Sequence, residues 1–130
     1  MTLRIGLVSD VHMRSEYRVE LTAELSRVAD ALDRFDPDLV VALGDIVEDE
    51  TRRLDYEHVE LVRDRLSFGP PLRMLGGNHD VVNVSPRTLG SLFGNGLDGV
   101  SRIGGETLVF LNSAAPRLGD ARGEVSSDGL

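Results

Sequence analysis

Three short polar clusters each stand directly after a run of apolar residues, and their side chains are of kinds that bind divalent metals. The clusters contain Asp10 and His12, then Asp45, then Asn78, His79 and Asp80. Carboxylate, imidazole and amide groups without sulfur favour ions of the Mn, Fe, Zn or Mg type. A carboxylate such as Asp45 can bridge two ions, and two ions about 3.5–4 Å apart can hold a phosphoryl group and generate hydroxide at neutral pH. The residue types therefore indicate metal-assisted phosphoryl chemistry.

Each cluster also has an ordinary structural explanation when it is taken alone. An Asp after a strand usually forms a turn or caps a helix, and His12 alone would more often be a solvated loop residue. Asn78 after Gly77 could simply hold a left-handed turn. The joint pattern favours a site, because three independent turns rarely all end in metal-competent groups.

The elements that must position these clusters are predicted from the spacing of apolar residues. They are strands at 3–9, 39–43 and 72–75, helices at about 21–35, 51–66 and 86–93, and a hairpin at 100–113. The predicted inward positions are Leu21, Leu25, Val28, Leu32 and Phe35 on the first helix, and Leu54, Leu61, Val62 and Leu66 on the second. Such alternation predicts an α/β fold with a mainly parallel sheet. Because parallel strands bring their carboxyl ends to one edge, where ligands bind, the three clusters should converge in one crevice.

With these blocks the chain resembles the calcineurin-like metallophosphoesterases. That family's signature is D-x-H, then G-D, then G-N-H-D or G-N-H-E, each placed after a strand. The matching blocks here are Asp10-Val11-His12, Gly44-Asp45 and Gly77-Asn78-His79-Asp80. The resemblance covers about residues 3–113 and implies an αββα sandwich of two mixed sheets flanked by helices, of which this chain supplies the first part.

The resemblance also implies a role for each residue of the clusters. Two divalent ions would be held by Asp10 and His12 on the first ion, Asn78 on the second, and Asp45 as the bridge. His79 would face the substrate, stabilising phosphoryl oxygens or protonating the leaving alkoxide, with Asp80 orienting its ring. The pairing also has a physical basis, because a carboxylate beside an imidazole raises its pKa and selects its tautomer.

Some metal ligands that the resemblance implies have no counterpart in this chain. The family completes its metal shells with a lone histidine after a later strand and with a G-H-x-H block. The chain has only three histidines, and His58 falls on the inward side of the second predicted helix, where we interpret it as a packed or boundary residue. The first ion would keep three ligands and the second two, so the second site is expected to be weak.

Three explanations of the missing ligands remain open. The chain could be an N-terminal fragment of a longer enzyme, a short form completed by another chain, or a degenerate, non-catalytic relative. The first is preferred, because a disused site would be expected to lose some of its motifs. Residues 1–113 are accordingly predicted to be the N-terminal part of a metallophosphoesterase domain. Residues 114–130, which are rich in Gly, Ser and Asp, are predicted to be a truncated connection.

Composition limits the partners. The 130 residues are 41% hydrophobic and 28% charged, with a formal net charge of -8, fourteen basic residues that are all arginine, and no cysteine. A negative surface argues against broad nucleic-acid or membrane binding, because both partners are polyanions. No disulfide framework is available, and the first residues form neither a secretory signal nor a membrane span. A cytoplasmic location is the default expectation.

The leading hypothesis is hydrolysis of small phosphomonoesters or phosphodiesters with two metal ions, manganese among them. Because the later histidine ligands are absent, the chain alone is expected to bind at most one ion well and to hydrolyse phosphoesters poorly. The rival is a non-catalytic module that binds a phosphate, a nucleotide or a protein partner. A nucleotide-binding oxidoreductase would rest only on the glycines of residues 94–99, which lack the strand before and the helix after that such a turn requires. Half of a sandwich would leave apolar sheet surface exposed, so a homo-oligomer or a complementing chain is expected.

Overall fold

Three parallel strands form the central sheet of the protein. In a computed structural model, which describes residues 2–114 and 125, β1 (Ile5–Val8), β2 (Leu39–Ala42) and β3 (Leu72–Met74) lie side by side in that order. Ile5 pairs with Leu39, and Val40 pairs with Leu72. All four residues of β2 are buried, as expected for an apolar run at the centre of a parallel sheet. The predicted α/β fold with a parallel sheet is confirmed.

Two helices connect these strands. Helix α1 (Arg18–Phe35) joins β1 to β2, and α2 (Arg52–Leu66) joins β2 to β3. Helix α2 begins where predicted, because the Thr51 hydroxyl accepts a hydrogen bond from the amide of Leu54 at 3.1 Å. Helix α1 ends at Phe35. The next residue, Asp36, has a left-handed backbone conformation with φ 55° and directly precedes a proline.

The inward faces of both helices differ from the prediction. On α1 the buried residues are Leu25 and Ala29, while Val28 and Phe35 are 38% and 47% exposed. At about 100° per residue, Val28 and Phe35 lie roughly 80–100° around the helix from the centre of that face. On α2 the buried residues are Asp55, His58, Val59, Val62 and Leu66. Leu54 and Leu61 are only half-buried. The buried face of α2 therefore includes polar residues, which apolar spacing alone did not identify.

A short helix and a hairpin complete the described chain. Helix α3 (Pro86–Phe93) begins where predicted, after Ser85, whose hydroxyl accepts a hydrogen bond from the amide of Thr88 at 3.2 Å. Strands β4 (Gly99–Ile103) and β5 (Glu106–Phe110) pair antiparallel, as predicted. Their turn requires glycine, because residues 104 and 105 have φ of 59° and 82°. Arg73 of β3 reaches the hairpin, and its guanidinium lies 4.8 Å from the centre of the Phe110 ring.

The main core lies between the sheet and the helices. Its buried members include Leu25 of α1, Ala42 and Met74 of the sheet, Val59, Val62 and Leu66 of α2, and Leu89, Leu92 and Phe93 of α3. Successive residues of a strand face opposite sides of the sheet. Gly6 of β1 faces Leu32 of α1, so Leu7 faces the other side, where it is 61% exposed. Val100 and Val109 of the hairpin are also more than half exposed. Apolar strand surface is therefore left uncovered within the described residues, as half of a sandwich would leave it.

Two further points concern the predicted connection at residues 114–130 and membrane-spanning helices. The predicted connection over residues 114–130 lies outside the described residues, apart from Ala114 and Val125. In the part of the chain that the structure describes, no helix combines the length and the apolar character needed to cross a membrane.

Candidate metal centre

The segments that follow β1 and β2 run alongside each other and carry the first two clusters to the same place. The amide of Asp10 donates to the carbonyl of Gly44 at 3.1 Å, and that of His12 donates to the carbonyl of Asp45 at 2.9 Å. A parallel bridge between Met13 and Val47 continues this pairing. Because backbone hydrogen bonds hold both segments, the predicted ligands of the first metal have a fixed relative position.

The segment after β3 is joined to them by a buried carboxylate. Asp80 is 1% exposed, and its Oδ1 accepts from the amides of Ile46 at 2.8 Å and Val47 at 3.1 Å. Its Oδ2 accepts from the amide of Gly77 at 2.8 Å. Burial raises the pKa of Asp80 to about 6, although these three donors act to lower it.

These contacts correct the predicted pairing of Asp80 with the ring of His79. The carboxylate of Asp80 points beneath the turn and binds backbone amides, whereas the ring of His79 points away from it towards Asp49. Adjacent residues of a turn direct their side chains differently, so neighbours in sequence need not be partners in space. Asp80 thus positions the turn rather than the imidazole.

Glycine at residue 77 lets this turn approach Asp45. A Cβ atom there would lie 2.2 Å from Oδ1 and 2.3 Å from the backbone nitrogen of Asp45. Any side chain would therefore push the turn away from the carboxylate. In the observed arrangement the amide of His79 donates to Oδ1 of Asp45 at 3.1 Å.

The three residues predicted to hold the first metal are brought together. Nε2 of His12 lies 3.5 Å from Oδ1 of Asp10 and 3.8 Å from Oδ2 of Asp45. The hydroxyl of Ser9 donates to Asp10, which is the main reason that the pKa of that carboxyl is lowered. Nδ1 of His12 lies 2.7 Å from Oε2 of Glu48. Glu48, which the sequence pattern did not single out, thus places a negative charge beside this imidazole.

The side-chain amide of Asn78 lies against the carboxylate of Asp45. With its NH2 group towards that carboxylate, it donates to Oδ1 at 3.2 Å and to Oδ2 at 3.3 Å. Turned the other way, its oxygen would share a bound cation with Asp45. The donor set and its spacing therefore fit a divalent metal.

His79 completes the cluster and has a carboxylate partner that the sequence did not single out. Nδ1 of His79 lies 2.5 Å from Oδ2 of Asp49, and its ring is 4.9 Å from that of His12. Partial burial acts to lower the pKa of His79, but the bond to Asp49 and the nearby charges of Asp45 and Glu48 raise it overall. The acidic run after Asp45 was the available clue to Asp49 and Glu48.

The ligand atoms of three residues lie close enough to share one ion. Those of His12, Asp45 and His79 are all within 4.8 Å of one another. This set contains His79, which was predicted to face the substrate, and it omits Asp10. Nδ1 of His79 is bonded to Asp49, so Nε2 is the ring nitrogen that remains for a metal or a phosphate.

Backbone strain is concentrated at this centre. Among the described residues, five that are not glycine have positive φ, and four belong here: Asp10 (57°), His12 (48°), Asp45 (51°) and Asp49 (59°). The left-handed region is unfavourable for residues with a Cβ and persists only where the surroundings impose it. Such clustering is typical of functional sites.

His58 is separate from the centre. Its side chain is fully buried on α2, and burial lowers the pKa of its imidazole. The prediction that it is a packed residue is confirmed.

The fold and these side chains together define a class. Acidic, imidazole and amide groups at the carboxyl edge of a parallel sheet are the arrangement of a metal-dependent phosphoesterase. The sequence matches the family model of the calcineurin-like phosphoesterases over residues 3–124. This chain belongs to that family, which confirms the resemblance, and its mixed α/β structure is consistent with part of the metallophosphoesterase fold. A comparison with curated proteins gave no match.

Proposed function

We propose that this chain hydrolyses phosphomonoesters or phosphodiesters with two divalent metal ions, manganese among them. The observation that supports the proposal best is the convergence of His12, Asp45 and His79 from three strand ends, with their polar side-chain atoms within 4.8 Å of one another, which puts the proposed proton donor beside two proposed metal ligands. Asp10 adjoins His12, and Asn78 adjoins the carboxylate of Asp45. Three separate strand ends thus supply one set of metal-competent groups.

In this proposal the side chains divide between two ions. Asp10, His12 and Asp45 hold the first, and Asp45 with Asn78 holds the second. Bound ions would polarise a phosphoryl oxygen and lower the pKa of a water nucleophile. The second ion has only two protein ligands among the described residues, so it is expected to bind more weakly.

His79 is the proposed proton donor to the leaving alkoxide. Its raised pKa favours the charged imidazolium, and Asp49 holds Nδ1 so that the opposite nitrogen is free to face the substrate. Asp80 contributes by anchoring the turn that carries His79 through its bonds to Ile46, Val47 and Gly77.

The charge of the centre explains why a phosphoester would need metals there. Asp10, Asp45, Glu48 and Asp49 surround the two imidazoles. Among the described ion pairs of these acids, Arg14 is the one arginine, 3.7 Å from Glu48. A phosphate anion would be repelled by this field unless divalent cations reverse its sign.

The test is hydrolysis of p-nitrophenyl phosphate and bis(p-nitrophenyl) phosphate by the purified chain, with metal content measured in parallel. We expect weak Mn²⁺-dependent turnover, since the second ion has few ligands, and we expect Asp45→Asn to abolish it because the bridging carboxylate becomes a neutral amide. Asp64→Asn is the matched control, since Asp64 is exposed on α2 and far along the helix from its metal-proximal start. Turnover that is unchanged in Asp45→Asn would contradict the proposal.

One observation favours a second candidate, a module that binds phosphate or a nucleotide without hydrolysing it. The described residues give the second ion only Asp45 and Asn78, which could leave it too weakly held for catalysis. Tight binding of one Mn²⁺ per chain, phosphate binding that requires this ion, and no turnover of either ester would favour the module.

A further inference from the structure

A carboxylate occupies a position on α2 where the pattern calls for an apolar residue. Asp55, Val59, Val62 and Leu66 recur at intervals of four, three and four, and all are 0% exposed. A buried carboxylate is unfavourable unless hydrogen bonds compensate its loss of hydration. Asp55 therefore needs an explanation that packing does not supply.

Its two oxygens bind two different segments. Oδ1 accepts from the backbone amide of Glu50 at 3.0 Å, and Oδ2 accepts from the side-chain amide of Asn83 at 2.9 Å. The carboxylate of Glu50 in turn accepts from the backbone amide and the hydroxyl of Ser15, both at 2.7 Å. We refer to Ser15, Glu50, Asp55 and Asn83 as the Asp55 network.

The Asp55 network connects all three segments that carry the metal-competent side chains. Ser15 follows β1 and lies three residues beyond His12, and Glu50 follows β2 directly after Asp49. Asn83 follows β3 in the turn-rich segment that carries the third cluster. At the metal end these segments are joined by backbone pairing and by Asp80. The Asp55 network is a second connection, made on the side of α2.

From this juxtaposition we infer that Asp55 is a positioning residue for the metal centre, a role that rests on the function proposed above. It acts through Glu50 and Asn83, which set the distance between the segment that holds the first ion and the segment that holds the second. Loss of the Asp55 network would let the segments move apart, and the metal ligands would no longer lie close enough together to bind the same ions. Groups behind the ligands of a metal typically change its affinity by about 10–100-fold.

The decisive variant is Asp55→Leu, which removes both acceptors but restores an apolar residue to the buried stripe. We expect it to stay folded, because an apolar residue of similar size is often tolerated in place of a buried charge. Mn²⁺ affinity, measured by calorimetry on the full chain, should fall by about tenfold or more. Asp55→Asn should recover most of the Mn²⁺ affinity. The side-chain oxygen of the new amide can accept from the backbone amide of Glu50, and its NH2 group can donate to the side-chain oxygen of Asn83 once the Asn83 amide has turned.

Val59→Ala is the matched control in the same stripe. It removes core volume and should lower the melting temperature, yet it should leave Mn²⁺ affinity within about twofold because the Val59 side chain makes no hydrogen bond to the Asp55 network. A purely structural role for Asp55 would make the two variants behave alike. If Asp55→Leu does not fold, Asn83→Ala removes one link from outside the helix and should weaken Mn²⁺ binding on its own.

The outcomes separate this inference from the proposed function. A native chain that binds no Mn²⁺ would overturn the proposed function. If Asp55→Leu folds and binds Mn²⁺ as tightly as the native chain, only the role of Asp55 is overturned. If Asp55→Leu does not fold, unchanged Mn²⁺ affinity in Asn83→Ala has the same consequence. Amide hydrogen exchange without metal gives an independent readout: residues 10–15 and 77–83 should exchange faster in Asp55→Leu than in Val59→Ala.

Discussion

Replacing Gly77 with alanine tests the closeness of the third turn to the bridging carboxylate. The added Cβ would lie 2.2 Å from Oδ1 of Asp45, whereas ordinary contact begins near 3.4 Å. It would also lie 2.3 Å from the backbone nitrogen of Asp45, so a rotation of that side chain cannot relieve the overlap. The turn must therefore move by about 1 Å.

A shift of this size would disrupt the contacts that define the centre. The bond from the amide of His79 to Asp45 is 3.1 Å long, and the side-chain amide of Asn78 is 3.2 Å from the same carboxylate. Overpacking of this kind costs about 1–3 kcal/mol of stability. A misplacement of about 1 Å at a catalytic group can lower a rate by about a hundredfold.

The assay compares Gly77→Ala with Gly76→Ala, its neighbour in the same turn. At Gly76 the nearest atom to an added Cβ is Cδ2 of Leu89 at 3.4 Å, which is ordinary contact. We expect Mn²⁺ binding and p-nitrophenyl ester hydrolysis to fall about a hundredfold in Gly77→Ala and to change little in Gly76→Ala. Equal effects of the two variants would refute the argument from steric overlap.

Three other predictions follow from the described contacts. Asp49→Asn should lower the pKa of His79, measured by NMR titration of the metal-free chain, because it removes the charge that stabilises the imidazolium; a pKa that does not fall would contradict the proposed pairing. Burial lowers the pKa of His58, so the unfolded chain binds more protons than the folded one below the ordinary value of 6.5. The contribution of His58 to stability in urea should therefore decrease as the pH falls through 6.5, whereas the raised pKa of His79 acts in the opposite direction. The test compares the pH dependence of the native chain with that of His58→Leu, which should lose less stability as the pH falls; equal dependence would contradict the burial argument. Exposed Leu7, Val100 and Val109 predict self-association in sedimentation experiments, which Leu7→Lys should weaken; a monomeric native chain would contradict this.

Much of the fold was predictable because local patterns and tertiary contacts agree. The strands, the caps at Thr51 and Ser85, and the turn at Gly104 and Gly105 depend on backbone preferences of a few neighbouring residues. The inward faces of α1 and α2 were less predictable. Apolar spacing does not reveal that Ala29 is buried while Phe35 is 47% exposed, since that depends on how the helix lies on the sheet.

The candidate site was predictable as a set of residues but not as a set of contacts. The position of each cluster after a strand was enough to indicate that the clusters converge. The sequence did not indicate that Asp80 binds backbone amides, that Asp49 is the partner of His79, or that Glu48 lies against His12. Each of these contacts depends on which way a loop side chain points, which only the folded backbone determines.

The sequence by itself thus determined the class of chemistry, because the types of side chain and their place after strands follow from residue identity and short-range periodicity. Only the tertiary structure decided the partnerships, above all the connection of three segments through Asp55. Those partners are as many as 35 residues apart, as Ser15 and Glu50 are, and no local rule places Asn83 beside Asp55. The physical reason is that a buried carboxylate binds whichever donors the fold delivers to it, and that delivery is a property of the whole packed chain.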